Sequence, residues 1–281
     1  MFSFLRIFIV LAVFVFSWML IKPVIVLNSL NTEFANNQKS SVQHSVKPKK
    51  PEKPLHNVKL PDFAHIKTVS EKKRQFFNFL APAIERENHK LSALRAQLLL
   101  LQSNAVTNLT KTEISNIIKL ANKYKIQKNL TIDEKINELI VSIDEVPEAL
   151  VLVQAANESA WGTSRFARIG LNFFGIWCYQ PKCGMIPNGR SGNDKHEVAA
   201  FKSVDQAVQH YFYNINTHKA YKVFREIRRQ LRAENHPLRA DILAAGLLAY
   251  SSRGEHYVME ITKMIEQNQA YITAALEKSS D

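Results

Sequence analysis

The sequence predicts a mainly α chain with one short irregular β region past its middle, and three observations carry that expectation. Two Thr-x-x-Glu capping boxes, Thr110 with Glu113 and Thr131 with Glu134, announce helix starts at which each side chain satisfies a free amide of the first turn. Apolar residues recur at helical spacing through much of the chain after Ser70. Between Leu171 and Lys202 glycine and proline interrupt that spacing, and HEVAAF within the interruption suits one arm of a short hairpin.

The amino-terminal element is apolar. Ile7 to Ile21 carries no charge, Arg6 precedes it, and apolar character resumes from Val24 to Leu27 after Lys22 and Pro23. Such a run is short of the about 20 residues that span a bilayer, and the extension approaches that length if Lys22 snorkels. No small-x-small cleavage site follows, so residues 1–30 read as a signal anchor more readily than as a removed signal peptide, with the membrane as the expected partner. Residues 31–60 are polar, basic and proline-containing, the composition of an extended linker.

A helical support region is expected from 61 to 145. Phe76, Phe77, Phe79, Leu80, Ile84, Leu91, Leu94 and Leu98 to Leu101 mark one helix from Ser70 to about Gln102, which Pro82 should break or kink. The two capped helices follow. A further domain, 146–276, opens with a helix near Pro147 that runs through ALVLVQAANESAW to stop at Gly162, which puts Glu158 in its last turn. Ser203 with Gln206 reads as a third capping box, opening a helix through Tyr213. Two or three more helices fill Tyr221 to Leu276, with turns near His236-Pro237 and Arg253-Gly254.

At 281 residues and 46% hydrophobic composition, the chain can bury a sizeable core. Its formal charge of +12 attracts polyanions, whether nucleic acid, anionic lipid or acidic polysaccharide. Scattered Lys and Arg, with no zinc-finger or RNA-binding signature, speak against nucleic acid. Cys178 and Cys183, with four residues between them in CYQPKC, suit a small disulfide in an oxidising compartment, the alternative being two inert thiols; they make a poor zinc site. No metal or other cofactor is expected: there is no Walker loop or His-Glu-x-x-His, and His196, His210, His218 and His256 lack ligand spacing. Ser159 and Ser164 do not sit in a nucleophile elbow.

Glu158 is the candidate for chemistry. A carboxylate at a helix C-terminus faces the negative end of the macrodipole, and Trp161 offers a desolvating neighbour; both disfavour the charged form. A carboxylic acid kept protonated is what protonation of a glycosidic leaving oxygen requires. On spacing alone, an exposed glutamate at a helix end is the commoner case. The context reverses that weighting. AANESAWGTS from Ala155 to Ser164, Asn172-Phe173-Phe174-Gly175, HEVAAFKSVDQAVQHYFYNINTHKAY and YSSRGEHYVMEITKMI, in that order, resemble the glucosaminidase domain of glycoside hydrolase family 73, and within it the bacterial Bax-type members.

The resemblance implies a lysozyme-like helical fold with a small β lobe over a sugar groove, and peptidoglycan glycan strands as the partner. Glu158 corresponds to the family's catalytic acid. The family's late tyrosine near the reacting sugar falls on Tyr250 or Tyr257; Tyr257 is taken as functional and Tyr250 as core. Ser251-Ser252-Arg253 departs from the Ala-Thr-Asp of many members. A second carboxylate is expected in the β lobe, Glu197 first and Asp194 behind it, unless the substrate's own acetamido group serves as nucleophile. Trp177 and Tyr179 are candidates to stack on sugar, with Asn172 a further groove candidate that more naturally orders its loop; Trp161 and Phe174 are expected in the core. Three activities fit: an endo-β-N-acetylglucosaminidase, a lytic transglycosylase on the same substrate, and a non-catalytic wall-binding protein.

Overall fold

The apolar run after Ser70 becomes helix α1, Val69–Ser103, and it passes through Pro82 without a break. The proline removes one helix hydrogen bond, at a cost of about 3 kcal/mol. Its neighbours Leu80, Ala81, Ala83 and Ile84 are all buried, and that packing outweighs the local preference. The computed structural model describes residues 52–103, 108–188 and 196–280. The apolar segment 1–30 and most of the expected linker lie outside them; among the described residues no helix is long and apolar enough to cross a membrane.

Helices α2 (Lys111–Lys123) and α3 (Ile132–Ser142) start where the capping boxes place them. Thr110 and Thr131 each accept from the third helical amide, and Glu113 and Glu134 each accept from the cap residue's amide at 2.8 and 2.7 Å. Helix α4, Glu148–Ser159, is buried continuously from Leu150 to Ala156. The short α5, Arg165–Gly170, leads into the β lobe.

That lobe is larger than a hairpin: β1 (Trp177–Cys178) and β2 (Gly184–Met185) both pair antiparallel with β3 (Glu197–Ala199), in the order β1-β3-β2. The Cys178–Cys183 disulfide ties the connection between β1 and β2. Helix α6, Val204–Thr217, is capped by Ser203, which accepts from Gln206; Gln206 in turn accepts from the Lys202 amide instead of closing a full box on Ser203. Then come α7 (Lys222–Ala233), α8 (Ala240–Ala244) and the long α9 (Glu255–Ser280).

Helix α9 lies against both α1 and α4, and α1 also meets α3, α4 and α6, so the residues before and after 145 share one apolar core within the compact unit Lys53–Asp281. The last residues of the expected linker are docked on it. The Leu55 amide donates to the Ile169 carbonyl at 2.8 Å, and buried His56 donates from Nε2 to the Arg168 carbonyl while Nδ1 accepts from Val58. Apolar Leu55, Val58 and Leu60 were outweighed by prolines and lysines in the composition.

The turn before α4 is fixed by charge. Asp144 is buried and meets Arg228, Arg232 and Arg95, the Arg232 contact at 2.8 Å. Arg228, itself fully buried, also donates to the carbonyls of Val141, Asp144 and Glu145. Burial alone would raise the Asp144 carboxyl; the Arg232 hydrogen bond and the three guanidinium charges hold it below the usual range. Removing Asp144 strands those cations, so Asp144→Ala should lower stability by about 3–5 kcal/mol in urea unfolding. Because the folded-state pKa is depressed, this stabilisation is present above the ordinary carboxylate range and is lost as pH falls through the folded value, which acid unfolding of the parent and variant will show.

Candidate active site

Glu158 occupies the last turn of α4, and the chain beyond it takes an uncommon path. Ala160, Trp161 and Gly162 are successive left-handed residues, with φ of 49°, 57° and 77°. For the two residues with a Cβ this costs about 1–2 kcal/mol each. Buried Ser159 holds the turn: its hydroxyl donates to the Ala155 carbonyl at 2.6 Å and accepts from the Gly162 amide at 2.9 Å. Trp161 anchors it from the other side, edge-on to Phe76 and Phe77 of α1. At Gly162 an added Cβ would stand 2.4 Å from the Phe63 ring.

The carboxyl opens onto a groove of about 470 Å³. One wall is the segment Phe174 to Trp177 with Tyr179, the other a face of α6 and the turn after it, carrying His210, Tyr213, Asn214, His218 and Tyr221, with Tyr250 also on the lining. Asn172 shapes the first wall without facing the groove. It is buried, donates to the carbonyls of Ile176 and Ala199, and accepts from the amides of Phe174 and Ile176. Its four hydrogen bonds make it a loop organiser, buried away from any sugar in the groove. Gly175, at φ 65°, turns its bare Cα toward the acid: a Cβ there would lie 3.8 Å from Glu158 Oε2. Trp177 and Tyr179 stand at the surface of the lobe, 49% and 75% exposed, with the Trp177 ring against His196.

Burial pushes the Glu158 carboxyl above the usual carboxylate range, against hydrogen bonds from Tyr257 and Asn157 and the charge of Arg253. The neighbours that exclude water differ from the expected one, because Trp161 packs on α1. Phe174 stacks on Tyr211 at 4.4 Å, and Tyr250 stacks on Tyr257 at 5.6 Å.

The two late tyrosines both bear on the acid, Tyr257 from the interior and Tyr250 from the groove lining. Tyr257 is fully buried and hydrogen-bonded to Glu158. Tyr250, expected in the core, lines the groove and donates to the Phe174 carbonyl at 2.8 Å. The two rings form one stacked pair, and spacing cannot tell which member faces solvent.

Glu197 is likewise reassigned. It is buried on β3 and accepts from the amides of Lys182 and Gly184 at 3.1 and 2.8 Å, bracing the disulfide loop at the strand pair Cys178–Glu197. Asp194 lies outside the described residues. Cys178, Cys183 and Glu197 cluster closely enough to suggest metal ligands, but the two sulfurs are joined to each other and offer no thiolates.

Sequence reading passed over the α6 wall. His210, Asn214 and His218 recur at intervals of four, which is one helical face, and this spacing was the available signal. Burial lowers the His210 pKa and keeps that imidazole neutral near pH 7. Aromatic faces, uncharged hydrogen-bonding side chains and one acid of raised pKa suit an uncharged polyhydroxylated ligand presented for protonation.

Such a helical fold, with a half-buried acid beside an aromatic groove, suits a glycoside hydrolase. Residues 134–270 match the Glucosaminidase family, described as mannosyl-glycoprotein endo-beta-N-acetylglucosaminidase. The chain is also 31% identical to Protein bax of Escherichia coli (strain K12) over 216 residues, 76% of each protein. No solved structure matches. The chain belongs to the glucosaminidase family, among its Bax-like members.

Gly162→Ala should lower stability by about 2–4 kcal/mol, since the Cβ both meets Phe63 and is held at left-handed φ. Thermal unfolding followed by circular dichroism measures it; an unchanged midpoint would mean that the turn relaxes at no cost.

Proposed function

We propose that the protein hydrolyses N-acetylglucosaminyl bonds of peptidoglycan as an endo-β-N-acetylglucosaminidase, with Glu158 as general acid. The observation that carries this reading is the Glu158 carboxyl, held above the usual carboxylate range by burial at the floor of a sugar-sized aromatic groove, in a chain of the glucosaminidase family. Trp177 and Tyr179 offer apolar faces to sugar rings, and the α6 wall offers hydrogen bonds to hydroxyl and acetamido groups.

Among the described residues lining the groove, Glu158 is the one carboxylate. We propose the substrate's own acetamido oxygen as nucleophile. It attacks the anomeric carbon as the glycosidic C–O bond breaks, and Glu158 gives its proton to the departing oxygen. Water then adds at the anomeric carbon, reopening the cyclic intermediate and returning a proton to Glu158, so the anomeric configuration is retained. A lytic transglycosylase would instead close the muramyl sugar on itself without water.

The disulfide supports an exported location in the cell envelope, and we place the catalytic unit in the periplasm, tethered by residues 1–30 if that segment is retained. The net charge of +12 gives the anionic wall an attraction that salt screens. Binding to isolated peptidoglycan should therefore weaken several-fold as salt is raised, whereas binding indifferent to salt would remove the electrostatic contribution.

Mass spectrometry of digested peptidoglycan tests the activity. The parent should release products with reducing-end N-acetylglucosamine, and Glu158→Gln should lose about 10²–10⁴ in rate. Anhydro-muramyl products would make it a transglycosylase, and no products with binding retained would make it a wall-binding protein. Since the acid must be protonated and its pKa is raised, kcat/KM should hold through the ordinary carboxylate range and fall only as pH passes the raised value.

A further inference from the structure

Helix α4 is apolar through Ala149 to Ala156 except at Gln154, whose side chain is fully buried. Gln154 lies four residues before Glu158, one turn away on the same helical face. It makes two hydrogen bonds in the interior. Its Nε2 donates to the Tyr257 hydroxyl oxygen at 2.8 Å, and its Oε1 accepts from the Tyr211 hydroxyl. Tyr257 is in turn hydrogen-bonded to the Glu158 carboxyl.

We propose that Gln154 is a positioning residue for Glu158: fixed by Tyr211, its amide occupies the Tyr257 oxygen as a donor and so directs the Tyr257 hydroxyl proton onto the Glu158 carboxylate. The direction follows from the orientation of the Gln154 amide, with Nε2 on Tyr257 and Oε1 on Tyr211. A tyrosine hydroxyl has one proton, and an amide presents NH₂ on one side and a carbonyl on the other. With the Tyr211 proton on Oε1, the NH₂ of Gln154 must face Tyr257, and Tyr257 has only the carboxylate left to serve. Each bond in such a chain polarises the next, so the donation to Glu158 is stronger than an isolated tyrosine would give.

The relay opposes burial. The aromatic surroundings favour the neutral acid, while the Tyr257 proton favours the carboxylate that remains after proton transfer. Other groups act on the same carboxyl: the charges of Arg253 and Glu260, themselves paired at 2.6 Å, Asn157 beside it, Tyr211, Tyr221 and Tyr250 around it, and His210 and His218 across the groove. Removing the Gln154 amide leaves all of these in place, so the acid's titration should move upward.

The test is a carboxyl-carbon NMR titration of the full chain labelled at glutamate, with Glu158→Gln to assign the resonance. Gln154→Met keeps the volume and removes both hydrogen bonds; Tyr211→Phe keeps the ring on Phe174 and removes the hydroxyl that orients the amide. The Glu158 midpoint should rise by roughly half a pH unit or more in Gln154→Met and by less in Tyr211→Phe. Adding Gln154→Met to Tyr257→Phe should move it no further, because the relay acts through that hydroxyl. If Gln154→Met does not fold, Tyr211→Phe decides. A midpoint unchanged in a folded variant, or moved downward, overturns the proposal. The catalytic consequence rests on the glucosaminidase reading: the alkaline limb of kcat against pH should follow the NMR midpoint with KM little changed. A titration that moves in a protein without hydrolytic activity would reject that reading and leave the relay standing, because the NMR measurement needs no substrate.

Discussion

The buried helix α4 is the constraint from which the rest of the site follows. With Leu150 to Ala156 enclosed by α1, α8 and α9, the helix can neither rotate nor slide without moving large apolar side chains through a close-packed interior. Its ends are pinned by polar means. Asp144 and the three arginines around it hold the entrance, and Ser159 with the left-handed turn holds the exit. Glu158 is thereby carried on a rigid element at the boundary between core and groove, where burial is enough to raise its pKa and a solvent-facing side remains for a ligand.

The strain in Ala160 and Trp161 fits this arrangement. Two non-glycine residues at positive φ survive because Ser159, Phe63 and the Phe76–Phe77 pair determine the turn from several directions. The turn stops α4 directly after the acid and sends the chain toward the β lobe, whose wall then stands over the carboxyl. Gly175 completes the wall beside Oε2 with a left-handed turn, at φ 65°, that a residue with a side chain would adopt only under strain.

What the sequence revealed was what local chemistry decides. The capping boxes at Thr110 and Thr131 placed two helix starts, because both partners lie within one turn. Glu158 in a last turn, the disulfide and the mainly α fold were legible for related reasons. Tertiary context decided the rest. Pro82 reads as a breaker until the burial on either side of it is known, and residues 53–60 read as linker until Ile169 and Arg168 are found beside them. Glu197 looked like a catalytic carboxylate because its partners, two backbone amides, leave no trace in side-chain identity. That Tyr250 lines the groove stayed hidden, since spacing locates a stacked pair and not its solvent-facing member. Gln154 had a signal that went unused, a lone amide in an apolar helical run one turn from the acid.

The central claim is that the groove above Glu158 receives a glycan with its scissile oxygen at that carboxyl. A crystal structure of the Glu158→Gln protein bound to an N-acetylglucosamine-containing glycan fragment tests it most directly. The account predicts a glycosidic oxygen within hydrogen-bonding distance of the residue 158 amide, sugar rings against Trp177 and Tyr179, and His210, Asn214 or His218 bonded to polar substituents. A glycan seated elsewhere on the molecule, with the groove left to solvent, would contradict it.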